Sequence, residues 1–247
     1  GKVEPKEDVE TINLELIFSD LAIVGKRHEN MARQLKSGTS RQIELQIQAI
    51  TKLKETLEAG KPARSVQLTD DERAQVKDMN LLTAKPILYV LNIGEQQQAS
   101  PARGEVSRSD GGVGDGSVVP LSLKIEAELS ELSPAEAKTF MADLGLKESG
   151  LDQLIKAAYE TLHLITFFTA GPKETRAWTI QRGTKAPQAA GIIHTDFEKG
   201  FIRAEIINWK ELVDAGGDVK AKELGKVRIE GKDYVVQDGD VVHFHFQ

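Results

Sequence analysis

Cysteine is absent from the 247 residues of this chain. Disulfide bonds, thiolate metal sites and cysteine nucleophiles are therefore excluded within these residues. No apolar run approaches the ~20 residues that a membrane-spanning helix needs. The absence of cysteine, with an ordinary hydrophobic content of 40%, favours a globular protein of the cytoplasm, with an organelle interior as the alternative.

The chain also lacks an excess of basic residues. Its formal net charge is −6, which argues against indiscriminate binding of nucleic acid by the whole surface. We expect a monomer with no membrane partner and no specificity for DNA. A locally basic face that contacts RNA or a partner is still compatible with this net charge, and its candidates are Arg176, Arg182, Lys199 and Arg203. A mixed, solvated surface is the equal alternative for these residues.

Apolar residues at alternating spacings of three and four mark the first long element, the period of a coiled-coil seam. The seam comprises Leu14, Ile17, Leu21, Val24, His28, Met31 and Leu35, and then Ile43, Ile47, Ile50 and Leu57. Gly38 interrupts it, and Ser40 can cap a second helix that returns antiparallel to the first. We predict a helical arm over residues 9–80, with His28 as a packing residue and a basic tip at Lys36–Arg41 that could contact RNA.

A short apolar segment, Ile87–Leu91, follows the arm and predicts a buried strand. Before it, a capping box at Thr69–Glu72 predicts a helix that runs to about Leu82. After it come Asn92 and Glu95, at the strand end where open α/β sheets bind ligands. An Asn amide can hydrogen-bond a purine edge, and an acid can accept from a ring N–H. Without further support, a solvated loop is the simpler interpretation.

The middle of the chain is rich in glycine over Ser107–Gly116. We interpret this segment as a flexible loop and not a phosphate-binding loop, because no strand precedes it and no Gly-Lys-Ser/Thr follows. Val118–Leu121 then predicts a second strand, which ends in Ser122-Leu123-Lys124.

The last part of the chain predicts two helices and then a small sheet. A capping box at Ser133–Glu136 opens a helix that stops at Gly145, and Leu151–Leu162 forms the next. The predicted strands are Leu164–Thr169, Ala177–Ile180, Phe201–Ile207, Val227–Ile229, Tyr234–Val236 and Val241–Phe246, with a short helix at Thr184–Ala190 and a third capping box at Asn208–Glu211. This order predicts an α+β domain of the β-grasp type.

Two clusters of histidines and acids raise the question of a metal site. His194, Asp196 and Glu198 lie close in sequence, and His243 and His245 share one face of the last predicted strand. A metal needs three or four converging ligands. A turn is the better interpretation of the first cluster, and a solvent-facing or partner-facing edge of the second.

Several long segments together resemble the YchF/Obg-like ATPase family. They are Lys85–Glu95, Ser122–Leu132, Phe167–Trp178, Ala186–Ile206 and Gly231–Phe246, with a shorter match at Glu10–Leu16. The resemblance implies an α/β plus α+β fold: part of a P-loop NTPase domain, an inserted antiparallel coiled-coil arm, and a β-grasp TGS domain. The nucleotide-binding part would comprise residues 1–8 and 81–162, the arm residues 9–80, and the TGS domain residues 163–247.

The resemblance also implies a ribosome-associated protein that binds ATP in preference to GTP and hydrolyses it at full length. Asn92, Ile93 and Glu95 would form its base-recognition motif, Asn-x-x-Glu, in place of the Asn-Lys-x-Asp of GTPases. Ser122, Leu123 and Lys124 would form the second base-contacting loop, usually Ser-Ala-Lys, with Ser122 and Leu123 as the base contacts and Leu123 in place of the usual small residue. A GTPase Asp accepts two guanine N–H donors, whereas an Asn amide can still pair with N7 and N6–H₂ of adenine.

The family's phosphate-binding motif, Gly-x-x-x-x-Gly-Lys-Ser/Thr, does not occur in the sequence, and the Asp-x-x-Gly magnesium motif that the family carries before the arm is absent there. We therefore expect a fragment that is inactive alone, with no catalytic residue of its own, ATP as the ligand, and Mg²⁺ only where those motifs are present. The alternative is a non-catalytic adaptor that binds RNA or protein through the arm and the TGS domain.

Overall fold

A computed structural model describes residues 4–35, 40–95, 107–108, 117–171 and 174–247. The chain divides into two compact units, Gly1–Ala157 and Ala158–Gln247. The first combines a helical arm with a small sheet, and the second is an α+β unit. The predicted mixed architecture with an N-terminal helical arm is confirmed, while the three-part domain division stays a prediction. No helix in the described parts of the chain is long and apolar enough to cross a membrane.

Two long helices form the arm, α1 over Pro5–Leu35 and α2 over Arg41–Glu58. Ser40 caps α2 as predicted, because its side chain accepts a hydrogen bond from the amide of Ile43. The buried residues shared between the helices are Ile17, Val24, Met31, Ala49, Ile50, Leu53 and Leu57. The seam is shorter than predicted, since Leu14 and Leu35 at its two ends are 45% and 36% exposed. Of the predicted basic tip, residues 36–39 lie outside the described residues.

The segment after the arm is more broken than the sequence predicts. Thr69 and Glu72 form the expected capping box, but α3 covers only Asp70–Val76. A 3₁₀ turn follows at Lys77–Met79, and Asn80 adopts a left-handed conformation with φ of 48°. The predicted continuation to Leu82 is therefore wrong, because a left-handed residue cannot extend a right-handed helix. Two further 3₁₀ turns cover Ala63–Ser65 and Leu82–Ala84.

The small sheet contains β1 (Leu88–Asn92), β2 (Ser107–Arg108) and β3 (Ser117–Leu121), in the order β1-β3-β2. β1 and β3 are parallel, and β2 is antiparallel to β3. Ser107 and Arg108 thus belong to a strand and not to the predicted loop, and residues 109–116 lie outside the described residues. Three helices follow: α4 (Leu123–Glu131), α5 (Pro134–Asp143) and α6 (Gly150–Thr161). Their order places α4 directly at the end of β3.

The core of this sheet is compact. Val119, Leu121 and Ala157 are buried together, with Leu88 and Leu154 packed against them.

Ser133 and Glu136 form the predicted capping box of α5. Gly145 has a φ of 70°, as the predicted helix stop requires.

The second unit is built on a five-stranded mixed sheet. Its strands are β4 (Leu164–Ala170), β5 (Thr175–Gln181), β6 (Phe201–Asn208), β7 (Arg228–Glu230) and β8 (Asp240–Phe246), in the order β5-β4-β8-β6-β7. β4 and β8 are parallel, while every other described pairing in this sheet is antiparallel. Its helices are α7 (Ala186–Ile193), α8 (Thr195–Lys199), α9 (Trp209–Ala215) and α10 (Asp218–Glu223).

Both faces of this sheet carry buried residues. On one face, Phe167, Ile206 and Val242 share a core with the alanines of α7. On the other, Ile207 packs with Ala215 and Ala221, from α9 and α10. Alanine lets a helix approach the sheet closely, so the large side chains come mainly from the strands.

Two local predictions in this unit are wrong. Tyr234–Val236 is not a strand, since Val235 forms only an isolated bridge with Lys185. Asn208 caps α9 by accepting from the amide of Lys210, so the third capping box is absent. An Asn side chain is short enough to reach the second helical amide, and it then leaves the third amide, that of Glu211, without this partner.

Candidate functional site

Two loops meet at the carboxyl ends of β1 and β3. Because the strands are parallel, with Asn92 opposite Leu121, their following residues leave the sheet side by side. The amide of Ile93 donates to the carbonyl of Leu121 over 3.0 Å and fixes the first loop to the second strand. The structure thus brings together the predicted Asn92–Glu95 and Ser122–Leu123 segments.

Asn92 is joined to the second loop through its side chain. Its Oδ1 accepts a hydrogen bond from the backbone N–H of Leu123 over 3.2 Å. This contact orients the amide, with its oxygen towards the second loop. An amide oxygen has two lone pairs, so Oδ1 can accept a second hydrogen bond, and the amide nitrogen carries two donors. The exposed side chain of Asn92 therefore offers a donor and an acceptor side by side.

Ser122 and Leu123 have different roles in the second loop. Ser122 is only 1% exposed, and its Oγ accepts from the amide of Ile125 as the N-cap of α4. Its side chain therefore shapes the loop from beneath. Leu123, in contrast, is 58% exposed. Its apolar side chain can cover the flat face of a planar ring, so a larger residue than the usual one is compatible with base binding.

Glu95 forms an ion pair that sequence reasoning missed. Its Oε1 lies 2.6 Å from Nζ of Lys124, which is also 3.9 Å from Oε1 of Glu128. The hydrogen bond to Glu95 raises the pKa of Lys124 above its ordinary value, with the charges of Glu95 and Glu128 contributing. The sequence offered one indication of this ion pair, namely the position of Lys124 directly after Leu123 in the second loop.

Glu126 supports the same loop from behind. Its two carboxylate oxygens accept from the amides of Gly150 and Leu151 over 2.7 and 3.1 Å. These amides open α6, and a carboxylate is favourable at a helix N-terminus. The contact links α4, which begins in the second loop, to the helix that packs on the sheet.

The predicted basic residues of the second unit do not share one surface. Arg176 pairs with Thr169 across the β4–β5 ladder and stacks over Trp178 at 4.9 Å. Arg203 pairs with His245. The side chains alternate along each strand, so Arg176 lies on the face of Ile180, whereas Arg203 lies on the opposite face. Arg182 is exposed in the turn that follows β5, and Lys199 is exposed at the C-terminal end of α8.

The histidine clusters have structural partners. Nδ1 of His194 accepts from the amide of Asp196 over 3.2 Å, as a turn residue does. Nε2 of His245 is 2.9 Å from Oε1 of Glu205. Among the described residues, no group of three or more histidines and acids could hold a metal ion.

The fold defines the class: an α/β domain with polar residues at the ends of two parallel strands, a helical arm and an α+β unit. The family model YchF-GTPase_C, described as a protein of unknown function (DUF933), matches residues 164–247. The chain is 49% identical over 249 residues to "Ribosome-binding ATPase YchF" of Bacillus subtilis, covering 100% of this chain and 68% of that protein. It is 38% identical to "Obg-like ATPase 1" of Oryza sativa, covering 99% of this chain and 62% of the relative.

A solved structure agrees with these relatives. The Schizosaccharomyces pombe YchF GTPase matches with a TM-score of 0.82 and 32% identity, over 99% of this chain and 67% of that one. The chain belongs to the YchF family, a family of ribosome-associated, nucleotide-binding ATPases by the names of its members.

Proposed function

We propose that this chain supplies the base-recognition part of a nucleotide site in a ribosome-associated ATPase, and that this site prefers adenine to guanine. The observation that carries the proposal is the hydrogen bond from the Leu123 amide to Oδ1 of Asn92, at 3.2 Å. It orients the Asn92 amide within an exposed site at the carboxyl ends of two parallel strands.

An amide held in this way suits adenine. Bidentate pairing of an Asn side chain with N6–H₂ and N7 is a known mode of adenine recognition. The second lone pair of Oδ1 would accept from the N6 amino group, and Nδ2 would donate to N7. Guanine carries the acceptor O6 where adenine carries the amino group, so its O6 would face the Asn92 oxygen without a proton between them.

Two further observations support base binding at these loops. Leu123 exposes an apolar side chain next to the Asn92 amide, and the apolar face of a purine ring would cover it. The Leu123 N–H is already engaged with Asn92, which leaves it less available to a purine oxygen. The first feature suits any purine, and the second favours a 6-amino purine over one with an oxygen at that position.

The proposal does not extend to binding of the ATP phosphate groups. The 247 residues contain no Gly-x-x-x-x-Gly-Lys-Ser/Thr segment, and the described residues include no cluster suited to a divalent ion. We therefore assign to these residues the binding of the ATP base and no step of phosphoryl transfer or magnesium binding. When bound, Mg²⁺ neutralises phosphate charge in such sites.

We also propose the ribosome as a partner, which the name "Ribosome-binding ATPase" of a relative supports. The proposed contacts are the arm and the second unit, residues 163–247, for which we retain the TGS assignment as part of this proposal. Co-sedimentation of the chain with ribosomes tests this part. Retained ribosome binding without any nucleoside binding would favour the adaptor alternative.

The test of base recognition compares adenosine with guanosine in ligand-observed NMR titrations of the chain. The unaltered chain should bind adenosine more tightly. Asn92→Ala should weaken adenosine binding about tenfold, as expected for the loss of a bidentate base contact. Asn30→Ala, at an exposed residue of α1, is the matched control and should not change it. Equal affinity for both nucleosides, or no effect of Asn92→Ala, would contradict the proposal.

A further inference from the structure

The ion pair between Lys124 and Glu95 has no evident structural purpose. The side chains of Lys124 and Glu95 are 68% and 48% exposed, and exposed pairs contribute little to stability because water and salt screen them. Lys124 also lies in the first turn of α4, where the helix dipole disfavours a positive charge. A different role must explain why a cation at this position contacts the base-recognition loop.

The contact changes what Glu95 can offer to a ligand. A free carboxylate at the end of β1 would present two oxygens as acceptors, and the ring N–H and amino N–H groups of guanine are donors. Adenine has no N–H on its ring at the corresponding position. With Nζ of Lys124 only 2.6 Å from Oε1, one acceptor position of the Glu95 carboxylate is used, its negative charge is balanced, and the carboxylate is held towards Lys124. The ammonium itself has donors only, so it opposes the guanine donors as well.

Glu128 strengthens this arrangement. It lies one helical turn after Lys124, with its Oε1 3.9 Å from the ammonium. Lys124 is therefore drawn by two carboxylates, and its position is defined although its side chain is exposed. The carboxylate of Glu95 is held towards α4.

We propose that Lys124 is a positioning residue that sets base specificity by holding the Glu95 carboxylate away from guanine. This inference rests on the proposed function, since it concerns the same site. In this proposal two groups discriminate against guanine: the oriented amide of Asn92 and the restrained carboxylate of Glu95. Only the second depends on Lys124.

The test uses the full chain, with adenosine and guanosine as the probes and the ratio of their dissociation constants as the readout. Lys124→Met keeps the length of the side chain and removes its charge. Freeing Glu95 should shift the ratio about fivefold towards guanosine, the size expected for one net hydrogen bond at a solvent-exposed site. Lys124→Arg should restore the original ratio because it keeps a cation beside Glu95.

Two further variants separate positioning from a general effect of charge. Lys138→Met removes an exposed lysine of α5 and should leave the ratio unchanged. Glu95→Gln combined with Lys124→Met should abolish the gain in guanosine binding, because no carboxylate remains to be freed. Circular dichroism of each variant verifies that the fold is retained.

An unchanged ratio in Lys124→Met, or an equal loss of affinity for both nucleosides, would overturn the inference. In that case adenosine binding by the unaltered chain would still support the proposed function. Failure of the unaltered chain to bind adenosine would overturn the proposed function and this inference with it. A shift towards guanosine that persists in the double variant would assign the effect to Lys124 itself and overturn the role of Glu95.

Discussion

Tyr234 shows how one side chain can tie a turn to a strand. Its hydroxyl donates to Oδ2 of Asp240 over 2.8 Å, and the same oxygen accepts from the amide of Gln237. Asp240 opens β8 and is 2% exposed. Burial, together with the hydrogen bond to Asp240, raises the pKa of Tyr234 to about 12. The neutral phenol is therefore the form that the folded chain prefers.

The raised pKa of Tyr234 predicts how the stability of the second unit responds to alkaline pH. The pKa of Tyr234 in the folded chain lies above the ordinary value of about 10. The stability that the neutral Tyr234 contributes is therefore complete below pH ~10 and is lost as the pH rises towards 12. Tyr234→Phe should be less stable near neutral pH but should lose less stability between pH ~10 and ~12. Urea denaturation across this range measures the difference. Tyr159→Phe is the matched control, and an identical alkaline loss in Tyr234→Phe would contradict the prediction.

At the two loops that we propose for base recognition, the sequence predicts which residues are involved but not the contacts that they make. Asn92 and Glu95 follow an apolar strand, which is a pattern visible in one dimension. The burial of Ser122 and the Lys124–Glu95 contact depend on how β1 and β3 lie side by side. Residues distant in sequence meet only through that pairing.

Among the elements, the arm is tied to the rest of its unit by a buried carboxylate. Asp20 of α1 is fully buried, and it accepts from the amides of Leu82 and Thr83 over 2.8 and 2.7 Å and from the Thr83 hydroxyl over 2.6 Å. These donors belong to the last 3₁₀ turn before β1. The arm and the start of the sheet are thus linked through one side chain.

Asp20→Asn should destabilise the first unit by about 2–4 kcal/mol, because an amide nitrogen would face backbone donors that need an acceptor. Equilibrium unfolding in urea, followed by far-UV circular dichroism, measures the loss. Glu15→Gln changes an exposed carboxylate of the same helix and should alter stability by less than about 0.5 kcal/mol. A loss no larger in Asp20→Asn than in Glu15→Gln would show that the buried contacts contribute nothing.

Secondary structure was predictable where local chemistry decides it. Ser40, Thr69 and Ser133 begin their helices as their sequences indicate, because a hydroxyl can accept from an amide two or three residues onward. The strand at Tyr234–Val236 was predicted and is absent. The apolar character of this segment serves to bury Val236 in the core. Within the described residues, the segment has no neighbouring strand with which it could form a ladder.

The whole molecule contains two units with separate cores. The cluster around Phe167 lies within residues 165–244, and the cluster around Ile50 lies within residues 17–81. Each core can therefore be weakened independently of the other. Phe167 is completely buried and contacts Phe244 edge to face at 6.0 Å.

Phe167→Ala should destabilise the second unit by about 3–5 kcal/mol through the cavity that it leaves. Hydrogen exchange followed by mass spectrometry should show faster exchange in β4, β6 and β8, with α1 and α2 unchanged. Phe18→Ala, at a side chain that is 64% exposed, should change neither unit. Equal loss of protection in both units would instead show that the chain unfolds as one cooperative body.

The sequence by itself determined the helical arm, the two parallel strands, the polar residues at their ends and the family of the chain. These follow from periodicity, capping and long motifs, all of which are local in sequence. Only the tertiary structure decided that the Asn92 amide is oriented by Leu123, that Lys124 holds Glu95, and that Arg176 and Arg203 lie on opposite faces. Those outcomes depend on strand order and register, which bring distant residues together through backbone pairing that no single segment encodes.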